Sequence, residues 1–244
     1  MYTTEELKQI ATNVRRGILE QVYTAKSGHP GGALSCADIL TAIYFNLANV
    51  DPQNPDKEDR DRIILSKGHA SAALYSVLAN RGYFDVEELK TFRKLHSGLQ
   101  GHPSLGKLPG VDMTSGSLGQ GLSIANGMAL AEKLDNKGYY TYAILGDGEI
   151  EEGQIWEAAM TASKYNRKVG GGGSELMAIS YSASGLGPVY EKDLPFMPFG
   201  RRRGHVPRPR RLQQRIQLLC HCTLQDRINR TGGIFHGDTL PPYG

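Results

Sequence analysis

The sequence predicts an α/β fold in which helices flank a mainly parallel sheet, and three observations carry this prediction. Two apolar runs, at residues 62–65 and 139–145, are short enough to be buried strands. Stretches with helical periodicity separate these runs along the chain. Glycine-containing turns follow both runs, at residues 66–68 and 146–148. Strands that alternate with helices in this way are typical of a parallel sheet.

The composition is that of an ordinary globular protein. The chain has 244 residues, of which 39% are hydrophobic and 22% charged, and its formal net charge is +3. This charge calls for neither a nucleic-acid nor a membrane partner, and no apolar run is long enough to span a bilayer. The 3 cysteines are too few for a disulfide framework, so we expect a cytoplasmic protein.

The N-terminal segment has clear helix signals. Thr3 and Glu6 can form a capping box, and apolar residues recur at helical spacing over residues 7–22. The glycine and proline run at residues 27–32 is unsuited to a helix, so the first helix should end before it. A second helix is expected to begin near Ser35.

Later elements follow the same alternation. An alanine-rich helix is expected from about residue 70 to residue 80, and Asp85 should cap a short helix after it. The glycine-rich stretch at residues 116–121 leads into a helix that ends near Leu134. After the second strand, one more helix is expected around Trp156.

The pattern changes at Val169. Four glycines follow it, prolines interrupt the later sequence, and arginine replaces lysine entirely after Lys192. We therefore expect a domain at residues 1–168 and an irregular Gly/Pro/Arg-rich tail at residues 169–244. An out-of-frame stretch would explain this tail, and so would a divergent native one whose charges are solvated or bind RNA.

Gly146-Asp147-Gly148 closes the second predicted strand and precedes a helix. An aspartate at a strand end can supply an oxygen ligand to a divalent cation, and flanking glycines let backbone amides approach a diphosphate closely. The N-terminus of the following helix also favours an anion. A plain surface turn uses the same residues, so both interpretations stay open for this motif alone.

Three turns each place a histidine beside a glycine: His29, His69 and His102. A histidine can donate to phosphate or sugar hydroxyls, and it can move protons near neutral pH. A single loop histidine is more often a solvated surface residue. Three histidines in similar contexts favour a shared site.

Two further motifs have a structural and a functional interpretation. The glycines at residues 116–121 either bring the backbone close to a ligand or let a helix pack closely. Glu149, Glu151 and Glu152 lie in a predicted first helical turn, where acidic side chains complement the helix dipole. A functional carboxylate among the three is the alternative.

Taken together, the motifs resemble those of transketolases in order and spacing over about residues 5–168. The strings that carry the resemblance are Ser27-Gly28-His29-Pro30-Gly31-Gly32, Ser66-Lys67-Gly68-His69-Ala70-Ser71, Gly101-His102-Pro103, Gly116-Ser117-Leu118-Gly119-Gln120-Gly121 and Gly146-Asp147-Gly148-Glu149-Ile150-Glu151-Glu152-Gly153. The details are most similar to split transketolases, in which a separate N-terminal subunit binds the cofactor diphosphate.

The resemblance implies a thiamine-diphosphate-binding fold with the cofactor site inside it. Asp147 would bind the metal, Mg²⁺ or Ca²⁺, that bridges the diphosphate of thiamine diphosphate. Gly148 and His69 would contact the diphosphate itself. Gly116 and Leu118 would contact the cofactor through their backbones.

The resemblance also implies an activity, the reversible transfer of a two-carbon ketol group from a ketose phosphate to an aldose phosphate, as in the pentose phosphate pathway. His29 and His102 would face the sugar phosphate and assist proton transfer. Glu152 would join an acidic network that links two cofactor sites across a subunit interface.

The chain departs from the family pattern in two ways. After Asn166 the next asparagine is Asn229, so the family's second metal ligand is missing from its expected place. The pyrimidine-binding half is also absent, so the implied enzyme requires a C-terminal partner subunit, in a hetero-oligomer expected to be a dimer of pairs. The alternatives are an inactive or truncated remnant with a basic, RNA-binding tail, and another thiamine-diphosphate enzyme that acts on a keto acid.

Overall fold

The first helix begins at a capping box in the computed structural model, which describes residues 1–165 and 175–180. α1 spans Thr4–Ala25. The Thr3 hydroxyl accepts from the Glu6 backbone N–H at 3.3 Å, and the Glu6 carboxylate accepts from the Thr3 N–H at 2.7 Å. These bonds satisfy donors that a helix start leaves unpaired. α1 ends at Lys26, which has a left-handed φ of 48°, so the predicted cap and the predicted end are both confirmed.

Residues 30–34 depart from the prediction, whereas a helix close to Ser35 is present as expected. α2 spans Pro30–Leu34, and α3 spans Ala37–Ala42 and continues as a π-helical turn over Ile43–Leu47. The expectation that the glycine and proline run holds no helix was wrong from Pro30 onward. Proline fits the first position of a helix, because its missing N–H would have no intrahelical partner there.

The described strands are parallel and lie in the order β1-β2-β3. β1 spans Arg62–Leu65, β2 spans Thr141–Gly146 and β3 spans Glu175–Ser180. In the register, Leu65 pairs with Ile144. The carboxyl ends of the strands therefore lie at one edge of the sheet, and the predicted parallel sheet is confirmed.

β3 lies where the sequence pattern predicts irregular structure, and it corrects that expectation for its 6 residues. Its middle is a continuous apolar run at residues 176–179. Strands of a parallel sheet carry such runs instead of an alternating pattern, so a run this short gives little periodicity to detect. The rest of the predicted tail and the predicted boundary at Val169 lie outside the described residues.

The remaining helices follow the predicted order closely. The longer ones are α4 over Ser71–Arg81, α5 over Gln120–Asp135 and α6 over Gly153–Tyr165. The 3-10 turns span Gly68–Ala70, Val86–Thr91 and Gly148–Glu151. Asp85 caps the second of these turns by accepting from the Glu87 N–H at 2.9 Å, as predicted.

Helix α5 joins the sheet to the C-terminal helix of the described region. It packs across β1 and β2 and against α6. The shared apolar core contains Ile64, Met113, Leu122, Ala125, Ala143, Leu145, Ile155, Ala158 and Ala159. Every residue of β2 is buried, as expected for a strand with a neighbour on each side. Within residues 1–165 and 175–180, no helix has the length and apolar character needed to cross a membrane.

Candidate functional site

A cleft of about 390 Å³ opens at the carboxyl ends of β1 and β2. It is lined by residues 28–32, by Lys67 and His69 after β1, by Leu118, and by residues 146–149 after β2. Because the strands are parallel, their carboxyl ends bring these distant segments to one edge of the sheet. Ligands of open α/β sheets bind outside this edge.

One side of the cleft carries basic side chains, and we call His29, Lys67 and His69 the cationic wall. The rings of His29 and His69 meet edge to face, with centroids 5.1 Å apart. Burial, followed by the nearby His29 and Lys67, lowers the pKa of His69 below its ordinary value of 6.5. The neutral ring is therefore favoured at pH 7, where it can both donate and accept a hydrogen bond.

Lys67 connects two segments of the cationic wall. Its side chain is buried, and its ammonium donates to the Gly32 carbonyl at 2.8 Å and to the Ser35 hydroxyl at 2.9 Å. These bonds attach the middle and the C-terminal end of α2 to the turn after β1. They hold the segment that carries His29 against the turn that carries His69.

Residues 146–149 also line the cleft, and we call them the acidic turn. Asp147 is half-buried and lines the cleft. Its carboxylate makes no hydrogen bond and no ion pair with any residue in the described part of the chain. This carboxylate is therefore available to an incoming ligand.

Glu149 is the other carboxylate of the acidic turn, and both of its oxygens accept hydrogen bonds from the protein. Its side chain is buried; Oε1 accepts from the Ser66 hydroxyl at 2.5 Å and from the Gly119 N–H at 2.9 Å. Oε2 accepts from the Gly146 N–H at 3.0 Å. Glu149 thereby ties together the ends of β1 and β2 and the start of α5.

His102 and Gly116 lie beside the cleft without lining it. A Cβ on Gly68 would come within 2.9 Å of the Gly116 nitrogen, and a Cβ on Gly116 would lie 3.7 Å from the His102 ring. The three residues are therefore close neighbours. Burial, followed by Arg93 and His29, lowers the pKa of His102 below its ordinary value of 6.5.

The structure brings most of the predicted site residues together. Those that line the cleft are His29, His69, Leu118, Asp147 and Gly148. Glu152 is exposed and outside the cleft, and its backbone N–H donates to the Glu149 carbonyl at 3.1 Å. The individual roles that the resemblance implies for these residues stay predictions.

Two charged residues that line the cleft, Lys67 and Glu149, were not among the predicted site residues. Lys67 lies in a polar turn after a strand, where a lysine is usually solvated. Glu149 lies in a run of acidic residues that helix-dipole compensation explains equally well. In both cases the signal is burial, which local sequence does not reveal.

The cleft residues fit a diphosphate with one divalent cation. A Cβ on Gly31 or on Gly148 would meet no atom within 4 Å, so their backbones are open to a ligand. Asp147 offers one carboxylate, and among the described residues no group of three or more His, Cys, Asp and Glu side chains could hold a metal. Mg²⁺ is commonly held by one or two carboxylates together with phosphate oxygens and water.

Comparison with known proteins identifies the family to which the domain with this site belongs. The family described as transketolase, thiamine diphosphate binding domain, matches residues 7–168. A 6-deoxy-6-sulfo-D-fructose transketolase subunit, SqwG, of Clostridium sp. (strain MSTE9) is 48% identical over 157 residues, or 64% of this chain and 57% of the relative. An apulose-4-phosphate transketolase subunit of Phocaeicola vulgatus is 44% identical over 161 residues, or 66% of this chain and 57% of the relative.

Solved structures agree with these relatives. Transketolase from Campylobacter jejuni matches with a TM-score of 0.61 and 38% identity, over 68% of this chain and 27% of that one. Transketolase from Leishmania mexicana matches with a TM-score of 0.62 and 34% identity, over 67% of this chain and 26% of that one. The match thus spans little more than half of each related subunit and about a quarter of each solved chain. The chain belongs to the transketolase family and carries its thiamine diphosphate binding domain.

Proposed function

We propose that this chain is the N-terminal, diphosphate-binding subunit of a two-subunit transketolase. The enzyme reversibly transfers a two-carbon ketol group from a ketose phosphate to an aldose phosphate, using thiamine diphosphate and Mg²⁺ (or Ca²⁺). A C-terminal subunit with the pyrimidine-binding domain completes the site, in a dimer of such pairs. The supporting observation is that one cleft is lined by the cationic wall and by Asp147, whose carboxylate has no partner among residues 1–165 and 175–180.

The cofactor-binding tasks fall to the cleft and its neighbours. Asp147 ligates the divalent cation, while Gly148 and His69 donate to the diphosphate. Gly116 and Leu118 position the cofactor through their backbones. When bound, thiamine diphosphate supplies the electron sink that allows a carbon–carbon bond of the ketose to break. The protein supplies position and charge compensation.

The substrate-binding tasks fall to two histidines near the cationic wall. His29 and His102 hold hydroxyl groups of the sugar phosphate and move protons to and from them. The lowered pKa of His102 favours the neutral ring at pH 7, which is the form that accepts a proton. Glu152 is exposed and follows the 3-10 turn at Gly148–Glu151 directly, which suits a place at the subunit interface.

A thermal-shift titration tests the cofactor site. Thiamine diphosphate with Mg²⁺ should stabilise the chain, by about 2.7 kcal/mol at a concentration 100-fold above Kd. A chelator should weaken this stabilisation, and Asp147→Asn should weaken it to the same extent. Asp56→Asn is the matched control, because Asp56 makes no side-chain hydrogen bond or ion pair within the described residues and lies outside the cleft. No stabilisation, even when the C-terminal partner is present, would favour the inactive-remnant alternative.

A second assay tests the reaction. The chain is mixed with the C-terminal subunit of a split transketolase, and ketol transfer is followed from a ketose phosphate to an aldose phosphate. Transfer that requires both subunits supports the proposal. Cofactor binding without transfer, from folded subunits and across a panel of sugar phosphates and keto acids, would contradict the transketolase activity while leaving the cofactor site intact.

A further inference from the structure

Lys67 is a buried cation at the edge of a ligand cleft. Its relative exposure is 2%, yet it belongs to the lining of the cleft. Its ammonium contacts are the Gly32 carbonyl at 2.8 Å, the Ser35 hydroxyl at 2.9 Å and the buried Cys36 thiol, and none of them is a carboxylate. No carboxylate within residues 1–165 lies at ion-pair distance from it. Burial of an ammonium without an anion is unfavourable, so the site is electrostatically incomplete.

The carboxylates of the acidic turn do not neutralise the charge of Lys67. Gly146 lies between Lys67 and Glu149, since a Cβ on Gly146 would lie 3.4 Å from Lys67 Cδ and 3.7 Å from Glu149 Cβ. The oxygens of Glu149 already accept from a hydroxyl and two backbone amides. Asp147 shares the cleft but makes no ion pair with Lys67. The charge of Lys67 is therefore not neutralised by the described protein.

The geometry of the ammonium indicates what would neutralise it. An ammonium has three donors: two bond to the oxygens of Gly32 and Ser35, and the third has only the Cys36 thiol, a weak acceptor. The aliphatic part of the Lys67 side chain lies beside Gly146, which is both the last residue of β2 and the first residue of the acidic turn. An anion lying between the cationic wall and Asp147 would accept the remaining donor.

We propose that Lys67 is a diphosphate-binding residue that donates to a phosphoryl oxygen while it holds α2 in place. This inference rests on the proposed function and adds a binding residue to it. Because the cation comes from the protein, Lys67 gives the cleft some affinity for diphosphate even without Mg²⁺. The sequence lacks the family's second metal ligand, so this contribution matters more here than it would in a complete metal site.

Inorganic pyrophosphate and thiamine diphosphate are the probes, titrated calorimetrically into the full chain with Mg²⁺ and with chelator. Lys67→Met removes the charge and keeps an apolar stem, and Lys67→Gln keeps an N–H donor without the charge. Both variants should bind each probe at least 10-fold more weakly, and the chelator-resistant binding of pyrophosphate should disappear. Lys107→Met, at an exposed position outside the cleft, should bind like the unmodified chain.

The outcomes separate this inference from the proposed function. If the unmodified chain binds thiamine diphosphate and both Lys67 variants bind it equally well, the role of Lys67 is refuted and the cofactor site stands. If the unmodified chain binds neither probe, both ideas fall, because the cleft then holds no diphosphate. If Lys67 has only a structural role, both variants should have a lower Tm than the unmodified chain in the absence of ligand. If Lys67 is a buried charge without an anionic partner, Lys67→Met should have a Tm at or above that of the unmodified chain. Failure of both uncharged variants to fold would also refute the inference.

Discussion

The acidic turn and the cationic wall of the cleft hold their charges in opposite ways. In the acidic turn, Glu149 is surrounded by donors and its charge is consumed by the fold, while Asp147 two residues earlier has no partner in the described structure. In the cationic wall, Lys67 is buried as deeply as Glu149 but contacts a carbonyl, a hydroxyl and a thiol, with no carboxylate among its described partners. Burial alone therefore does not show which charged residue has a structural role. The hydrogen-bond partners of the charged group show it.

This difference distinguishes residues that stabilise the cleft from residues that are available to bind a ligand. Glu149 joins three segments and should matter most to folding. Lys67 and Asp147 carry charges that the described protein leaves uncompensated, so they should matter most to ligand binding.

Glu149→Gln should be the most damaging change to stability. A glutamine amide places an N–H₂ group against at least one of the three donors that Glu149 now accepts from. We expect a loss of about 3 kcal/mol in the free energy of unfolding, because buried donors lose a charged acceptor. Urea denaturation measures this loss. Glu151→Gln, at an exposed position in the same acidic run, should change stability by less than about 0.5 kcal/mol.

Gly68→Ala should have the next largest effect. A Cβ on Gly68 would lie 2.6 Å from the Ser115 hydroxyl oxygen and 2.9 Å from the Gly116 nitrogen, so the two loops must move apart. Overpacking of this kind costs about 1–3 kcal/mol, and denaturant unfolding would show it. Gly127→Ala is the control in α5, because a Cβ there meets nothing within 4 Å. Equal stability of the two variants would mean that the loops adjust freely.

The histidines should make the stability of the ligand-free chain depend on pH. The pKa values of His69 and His102 are lowered from 6.5 in the folded protein, so the unfolded chain takes up protons first as the pH falls. Stability is therefore fully present above pH 6.5 and decreases as the pH falls through the lowered values. Urea midpoints between pH 5 and pH 8 would show this slope, and His69→Gln should reduce it. A slope unchanged in the His69→Gln and His102→Gln double variant would contradict this origin.

Asp147→Asn should have the smallest effect on folding. The carboxylate makes no hydrogen bond or ion pair with the described protein, so we expect a change in unfolding free energy of less than about 0.5 kcal/mol. The same denaturation experiment, run beside Glu149→Gln, compares two carboxylates of one turn directly. A large loss of stability in Asp147→Asn would show that its charge belongs to the fold and would weaken its assignment as a metal ligand.

Much of the fold could be predicted from local sequence. The capping box at Thr3 and Glu6 and the strand at residues 62–65 obey short-range spacing rules, and both occur as predicted. The misses are also local in origin. The helix that starts at Pro30 is only 5 residues long, and β3 is 6 residues long, so neither completes enough turns or alternations to produce a periodic signal.

The sequence by itself determined the helices with full periodicity, the parallel order of strands and turns, and the family to which residues 7–168 belong. The tertiary structure alone decided which charged residues are buried and what they contact. Ser66 and Glu149 are 83 positions apart, and Lys67 and Gly32 are 35 apart. The first contact forms because the parallel strands β1 and β2 bring their carboxyl ends to one edge of the sheet, and the second because α2 packs against the turn after β1. No local pattern of residue types encodes that juxtaposition, because spacing along the chain fixes only the neighbours within a few residues.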